Sequence, residues 1–262
     1  MDRRNFSRAL AFATFAAVPA ASLKNTFSQE RPRSKAPEAG ALQVGMLLYP
    51  ELTLIDLIGP QTVLAARSDI HLIWKTKDLI YSDRGIGIKP NATLDDCPRD
   101  LDVLFVPGGP GMVPVMRDKP VLDFLADRGQ RARYVTSVCT GALVLGAAGL
   151  LKGYRATTHW AARDVLPVFG AEPVKQRVVV DRNRITGGGV TAGLDFGYVL
   201  LAALRGEKAA KVMQLLMEYD PQPPFNAGSP ENAGPEITAL ALNTLAPLQK
   251  ETRATIASIM KG

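Results

Sequence analysis

The sequence predicts an α/β domain with a mainly parallel sheet covered by helices on both faces. Three observations predict it. From residue 41 onward, strand-length apolar runs alternate with helical patterns of roughly 10–15 residues. The strand-like runs are almost continuously apolar, as in strands buried on both faces, rather than alternating as in a half-exposed sheet. Three segments, 49–60, 107–111 and 139–141, directly follow predicted strands, where open parallel sheets bind ligands.

The elements follow in order. Residues 42–48 form an apolar first strand. A helix comes next, with Leu54, Leu57, Ile58 and Leu64 apolar and Pro60 inside it. Residues 70–74 read as a second strand, and 79–90, with Gly85 and Gly87, as a hairpin or bent pair. The strand 102–106 is stopped by Pro107-Gly108-Gly109-Pro110-Gly111. Residues 120–131 form a helix with proline in its first turn. The strand 134–138 runs straight into Cys139, and 139–148 is helical and apolar almost all round. Segments 177–181 and 184–186 flank Arg182-Asn183 like a hairpin. Helices over 191–204 and 239–260 complete the chain, which has no internal repeat.

Composition excludes several classes. The chain of 262 residues is 47% hydrophobic and 21% charged, too apolar and mixed for disorder. Two cysteines, Cys97 and Cys139, are too few for a disulfide scaffold, and with His71 and His159 they make no close ligand pair for a metal cage. Neither a metal nor another cofactor is expected. The net charge of +6 raises nucleic acid or membrane surfaces as partners. Most of that excess, however, lies in residues 1–40, where Arg3, Arg4, Arg8, Lys24, Arg31, Arg33 and Lys35 face only Asp2, Glu30 and Glu38. This segment reads as an address. A charged start containing Arg3-Arg4-Asn5-Phe6 precedes an Ala-rich apolar run over 9–18 and small residues near 18–21. Residues 1–22 resemble a twin-arginine export signal, although Asp2 and Ser7 depart from its usual pattern. The apolar run falls short of the ~20 residues that a membrane span needs, so no stable membrane anchor is expected. Residues 23–40 read as a flexible linker and 41–262 as one domain with a C-terminal helical extension. The expected location is the periplasm; a basic tail on a cytoplasmic protein is the alternative.

The chemistry lies at the strand ends. Ser137-Val138-Cys139-Thr140-Gly141 has the layout of a nucleophile elbow with cysteine in the central place. A helix start behind the sulfur favours thiolate, which marks Cys139 as the nucleophile; the plainer alternative is a small buried hydrophobe. Gly108 and Gly109 allow close backbone approach, and their N–H groups could hold a developing anion. Asp56, set among apolar residues, is either a protonated partner of the sulfur or a helix cap. His159 either orients or protonates a substrate or is a satisfied core histidine, and His71 falls inside a strand. Cys97 sits in a loop, and two free thiols are expected because pairing it with Cys139 would disable the nucleophile.

On these residues the sequence resembles the ThiJ/PfpI superfamily, of the class I glutamine amidotransferase-like fold. The resemblance rests on 106–111, 137–142, Gly149-Leu150-Leu151-Lys152-Gly153 and Ala156-Thr157-Thr158-His159-Trp160-Ala161. Within it, 54–60 and 223–231 look most like the isonitrile hydratase branch. The resemblance implies a flavodoxin-like αβα sandwich, a homodimer, a catalytic Cys139, a neighbouring Thr140, and Asp56 bonded to the sulfur. It implies hydration of isonitriles to N-substituted formamides through a cysteine thioimidate. The alternatives are glyoxalase- or deglycase-like work on dicarbonyls, a redox or ligand sensor using the same cysteine, and a binding module with a vestigial site. Protease-type members carry histidine after the cysteine; Thr140 stands there, which argues against peptidase activity. Transcription-factor members append a helix-turn-helix domain. The stretch after Glu218 holds one long helical pattern and few basic residues, so no nucleic-acid partner is expected.

Overall fold

The structure is a computed structural model describing residues 40–261. The expected export signal, and the linker up to residue 39, lie outside the described residues. In chain order the elements are β1 (Leu42–Leu47), α1 (Leu54–Leu64), β2 (Ser68–Trp74), β3 (Ile80–Tyr81), β4 (Gly87–Ile88), β5 (Ala92–Thr93) and β6 (Val103–Val106). Then come α2 (Met112–Val115), α3 (Lys119–Arg131), β7 (Tyr134–Val138), α4 (Gly141–Ala147) and β8 (Arg155–Ala156). A 3-10 segment (Trp160–Phe169), β9 (Glu172–Pro173), β10 (Val178–Asp181), β11 (Arg184–Gly187), α5 (Ala192–Arg205), α6 (Glu207–Leu216) and α7 (Pro230–Ile259) follow.

Seven strands form one sheet in the order β10-β11-β7-β6-β1-β2-β5. All neighbours are parallel except β10, which pairs antiparallel with β11. The chain leaves β1 toward β2 on one side and returns through β6 on the other, so the strand order reverses between β1 and β6. Such a reversal splays the connecting loops apart and opens a crevice above the carboxyl ends of the strands. Helices α1, α5 and α6 form one layer, and α2, α3 and α4 another. This is the expected flavodoxin-like arrangement.

The core explains the continuous apolar runs. Val103, Leu104, Phe105 and Val106 are fully buried because β6 is central and both its faces are covered. Phe105 packs on Phe196 of α5 with ring centroids 5.6 Å apart. Among the described residues, no helix is long and apolar enough to cross a membrane.

The structure departs from the sequence expectations in several places. Helix α4 begins at Gly141 rather than Cys139, because Cys139 has a φ of +55°, outside the helical region. Helix α7 begins at Pro230 rather than 239, and Gly234 (φ 78°, ψ 172°) breaks it after one turn. Pro230 and Pro235 each stand in a first turn, where a missing N–H costs nothing. Helix α6 was not among the expected elements. It fully buries only Ala210, with Met213 one turn on partly buried against the core, so its apolar stripe is thin and its helix-forming residues contribute.

Truncating the central aromatic residue tests this packing. Phe105→Ala is expected to lower the unfolding free energy by about 3–5 kcal/mol. Urea titration reads it, and a loss below about 1 kcal/mol contradicts the packing described.

Candidate active site

Four neighbouring strands, β11, β7, β6 and β1, deliver their carboxyl-end loops to one place. The loop after β1 brings Tyr49 and Thr53 against the Pro107-Gly108 turn. Tyr49 Oη donates to Pro107 O at 2.7 Å and Thr53 N to Gly108 O at 2.9 Å. Asp56, in the first turn of α1, is fully buried, and its Oδ2 accepts from Gly108 N at 3.0 Å. A side chain at Gly108 would place its Cβ 2.6 Å from Thr140 N and 2.7 Å from both Asp56 Oδ2 and Cys139 Cβ. Only glycine lets these groups meet.

The elbow is held from both sides. Cys139 N lies 3.1 Å from Gly187 O and 2.8 Å from Gly188 O, at the end of β11. Thr158 Oγ1 donates to Cys139 O at 2.7 Å. These contacts fix a left-handed backbone that costs a non-glycine residue on the order of 1–3 kcal/mol. Gly141 completes the elbow: a Cβ there would overlap the carbonyl oxygens of Val106 and Pro107. Val190, with φ of +31°, is a second strained residue, and its N–H and that of Thr140 face the Cys139 sulfur.

The electrostatics revise the simple thiolate expectation. Burial, and then the neighbouring Asp56 charge, push the Cys139 thiol well above its ordinary value; the Val190 and Thr140 amides pull it down but do not prevail. Asp56 is raised to about 7, chiefly by burial, against the lowering effects of Cys139 and Gly108. Ionising both groups at once in a dry site is unfavourable, so they titrate as a pair. Asp56 Oδ1 is buried without a hydrogen-bond partner. A carboxyl near neutrality with one uncommitted oxygen beside a thiol is placed to move a proton to and from the sulfur.

Other expectations resolve differently. Gly108 and Gly109 are in the site, but neither amide is free to hold an anion. Gly108 N is bonded to Asp56, and Gly109 N donates to Thr140 Oγ1 at 3.0 Å. The turn instead orients the carboxyl and the hydroxyl. The amides facing the sulfur belong to Thr140 and Val190. The Thr140 hydroxyl accepts from Gly109 and keeps its own proton to donate. His159 does not hydrogen-bond the cysteine. Its Nδ1 accepts from Ala161 N at 3.3 Å, and burial followed by the nearby Arg163 charge lowers its pKa, so the ring is neutral with its proton on Nε2. His71 bonds Gln43 Oε1 at 2.9 Å across β1 and β2. Cys97 and Cys139 are both free thiols. Val190 and Tyr49 complete the site without having been singled out in sequence, and Thr158, named there only within the 156–161 motif, joins them. The Gly187-Gly188-Gly189 run, following a strand, was the available signal for the first of them.

The raised Asp56 gives a pH signature. The folded protein holds the Asp56 proton up to about 7, whereas the unfolded chain releases it near 3.8. Asp56 ionisation therefore costs the parent stability as pH rises through that window. Asp56→Asn keeps an acceptor for Gly108 N but carries no charge. Its stability relative to the parent is expected to rise by on the order of a few kcal/mol from about pH 4 to about pH 8. Urea unfolding at several pH values measures this, and a pH-independent difference contradicts it.

The chain is 52% identical over 212 residues to isonitrile hydratase of Pseudomonas putida, spanning 80% of this chain and 92% of that protein. A crystal structure of a ThiJ/PfpI family protein from Pseudomonas syringae superposes with a TM-score of 0.81 at 50% identity, covering 83% of this chain and 91% of that one. The deglycase PfpI of Pyrococcus furiosus is 27% identical over 55% of this chain and 89% of its own length. The sequence profile of the DJ-1/PfpI family matches residues 43–203, and the chain belongs to that family.

Proposed function

We propose that the protein is a cysteine-dependent hydratase that converts isonitriles to N-substituted formamides. The observation that carries this reading is the buried Asp56–Cys139 pair, with Asp56 at about 7 and its carboxyl interacting directly with the sulfur. The 52% identity to isonitrile hydratase, across 92% of that protein, supports it.

An isonitrile reacts at its terminal carbon, which first accepts a nucleophile and then a proton. Asp56 takes the Cys139 proton as the sulfur bonds to that carbon. This circumvents the unfavourable free thiolate, because the proton leaves only as the bond forms. Asp56 then returns the proton to the same carbon, giving a thioimidate, Cys139 Sγ–CH=N–R. The Thr140 hydroxyl donates a hydrogen bond to the substrate nitrogen, and the Thr140 and Val190 amides balance charge on the sulfur. Water adds to the CH carbon as Asp56 takes one of its protons, and Asp56 passes that proton to the nitrogen. The carbon–sulfur bond breaks as the new hydroxyl becomes the formyl C=O, the hydroxyl proton passes through Asp56 to the sulfur, and the formamide leaves. The net change is one water added per isonitrile.

Deglycase- and glyoxalase-named relatives match at only 27% and 25% identity, over about half of this chain. Dicarbonyl work is the second reading. The export signal belongs to the same proposal: the twin arginines Arg3 and Arg4 would carry the folded enzyme to the periplasm.

Purified protein incubated with a simple isonitrile is expected to release the formamide, with Cys139→Ala lowering the rate by at least about a thousandfold. No formamide from the parent, or equal formamide from both, rejects the reading; turnover of methylglyoxal alone favours the dicarbonyl alternative. Replacing Arg3 and Arg4 by lysine is expected to hold the protein in the cytoplasm, read by cell fractionation. Unchanged localisation rejects the export signal.

A further inference from the structure

The Cys139 sulfur has one amide partner beside each of two different recesses. Val190 lines a polar groove of about 490 Å³ that also holds Lys175, Arg177 and Glu231. Thr140 lines a smaller, apolar recess of about 40 Å³. His159 lies on the wall of both.

The apolar recess is built between the family domain and α7. Met112, Ala162 and Val165 come from the domain, and Leu245 and Leu248 from α7. Most of its polar atoms are already engaged. Gln249 Nε2 donates to Ala161 O at 2.8 Å, Thr252 Oγ1 to Leu248 O at 2.7 Å, and Arg253 to Asp164 Oδ2 at 2.7 Å. His159 Nδ1 is taken by Ala161 N, and Thr140 Oγ1 accepts from Gly109. A charged group entering this recess would lose water against a mostly apolar lining, and the lining cation Arg253 already has a carboxylate partner in Asp164. A hydrocarbon group would lose only unfavourable hydration. The space corresponds to roughly three water-sized probes, enough for the body of a compact alkyl group. The family match ends at residue 203, so Leu245, Leu248, Gln249, Thr252 and Arg253 all lie outside it.

We infer that this recess binds the hydrocarbon substituent of the substrate, and that Leu245 and Leu248 of α7, with Ala162, set its permitted size. The inference rests on the hydratase reading. The reacting carbon lies at Cys139, and the substituent extends past Thr140 under α7. The substrates selected are neutral, compact alkyl isonitriles rather than carboxylated ones.

The test compares methyl isonitrile, cyclohexyl isonitrile and isocyanoacetate on the parent, Ala162→Leu and Leu248→Ala. Far-UV circular dichroism and Tm establish that each variant is folded. Ala162→Leu is expected to lower kcat/KM for cyclohexyl isonitrile about tenfold and leave methyl isonitrile within about twofold. Leu248→Ala is expected to raise kcat/KM for cyclohexyl isonitrile relative to methyl isonitrile, and the parent to disfavour isocyanoacetate. If folded variants change methyl and cyclohexyl isonitriles in equal proportion, the pocket assignment is wrong. If the parent hydrates no isonitrile, the hydratase reading fails, and titration calorimetry with N-cyclohexylformamide still reads the pocket. Binding weakened about tenfold by Ala162→Leu then supports the assignment, and no binding, or equal binding to parent and variant, overturns it.

Discussion

Gly108 stands where β6 ends, with Asp56, the Cys139 Cβ and the Thr140 amide all closing on the space a side chain would fill. The site depends on this approach. It can exist only because β1, β6 and β7 are parallel neighbours, so their loops leave the sheet at one level. Gly108 N–H ties Asp56 to β6, and Gly109 N–H ties Thr140 to the same turn. Two backbone amides therefore fix the two side chains that flank the sulfur. This geometry also keeps water out, and burial more than any single charge lifts both Asp56 and Cys139 from their ordinary values.

The chemical character of the site follows from that dryness. A thiolate at rest would need more stabilisation than two amides supply while a carboxylate sits beside it. A thiol paired with a carboxyl near neutrality needs less, and it suits a substrate whose carbon accepts both a nucleophile and a proton. The left-handed backbone at Cys139 and at Val190 is the cost of aiming side chain and amide at one another, and the clamps from Gly187, Gly188 and Thr158 meet it.

Much of this was legible in the sequence. The unbroken apolar run at 103–106 marked a central strand because burial on both faces favours apolar side chains throughout; 134–138 carries Thr136 and Ser137 and was marked instead by running straight into Cys139. Cys139 followed by Gly141 marked the elbow, for the crowding that the structure displays at Gly141. Other features were hidden for physical reasons. Which amides remain free depends on hydrogen bonds between segments dozens of residues apart, so Gly108 and Gly109 looked available when they were not. The direction of the Cys139 shift depends on burial and on Asp56, and local sequence shows only the helix start. Val190 enters the site through β11, whose place beside β7 is a property of the assembled sheet. Helix α6 escaped notice because it buries so little.

The ends of the sheet carry a consequence of a different kind. Exposed strand edges invite other chains to pair with them and aggregate. Here one margin is β5, two residues long, and the other is β10, which turns back antiparallel through Arg182. Arg182 lies over the Tyr154 ring, while the Asp181 carboxylate accepts from Arg155 N–H. Neither border offers a long, flat, unguarded ladder. The domain is thus protected against edge-to-edge association by the same short pairs and charged turn that seemed incidental to its chemistry.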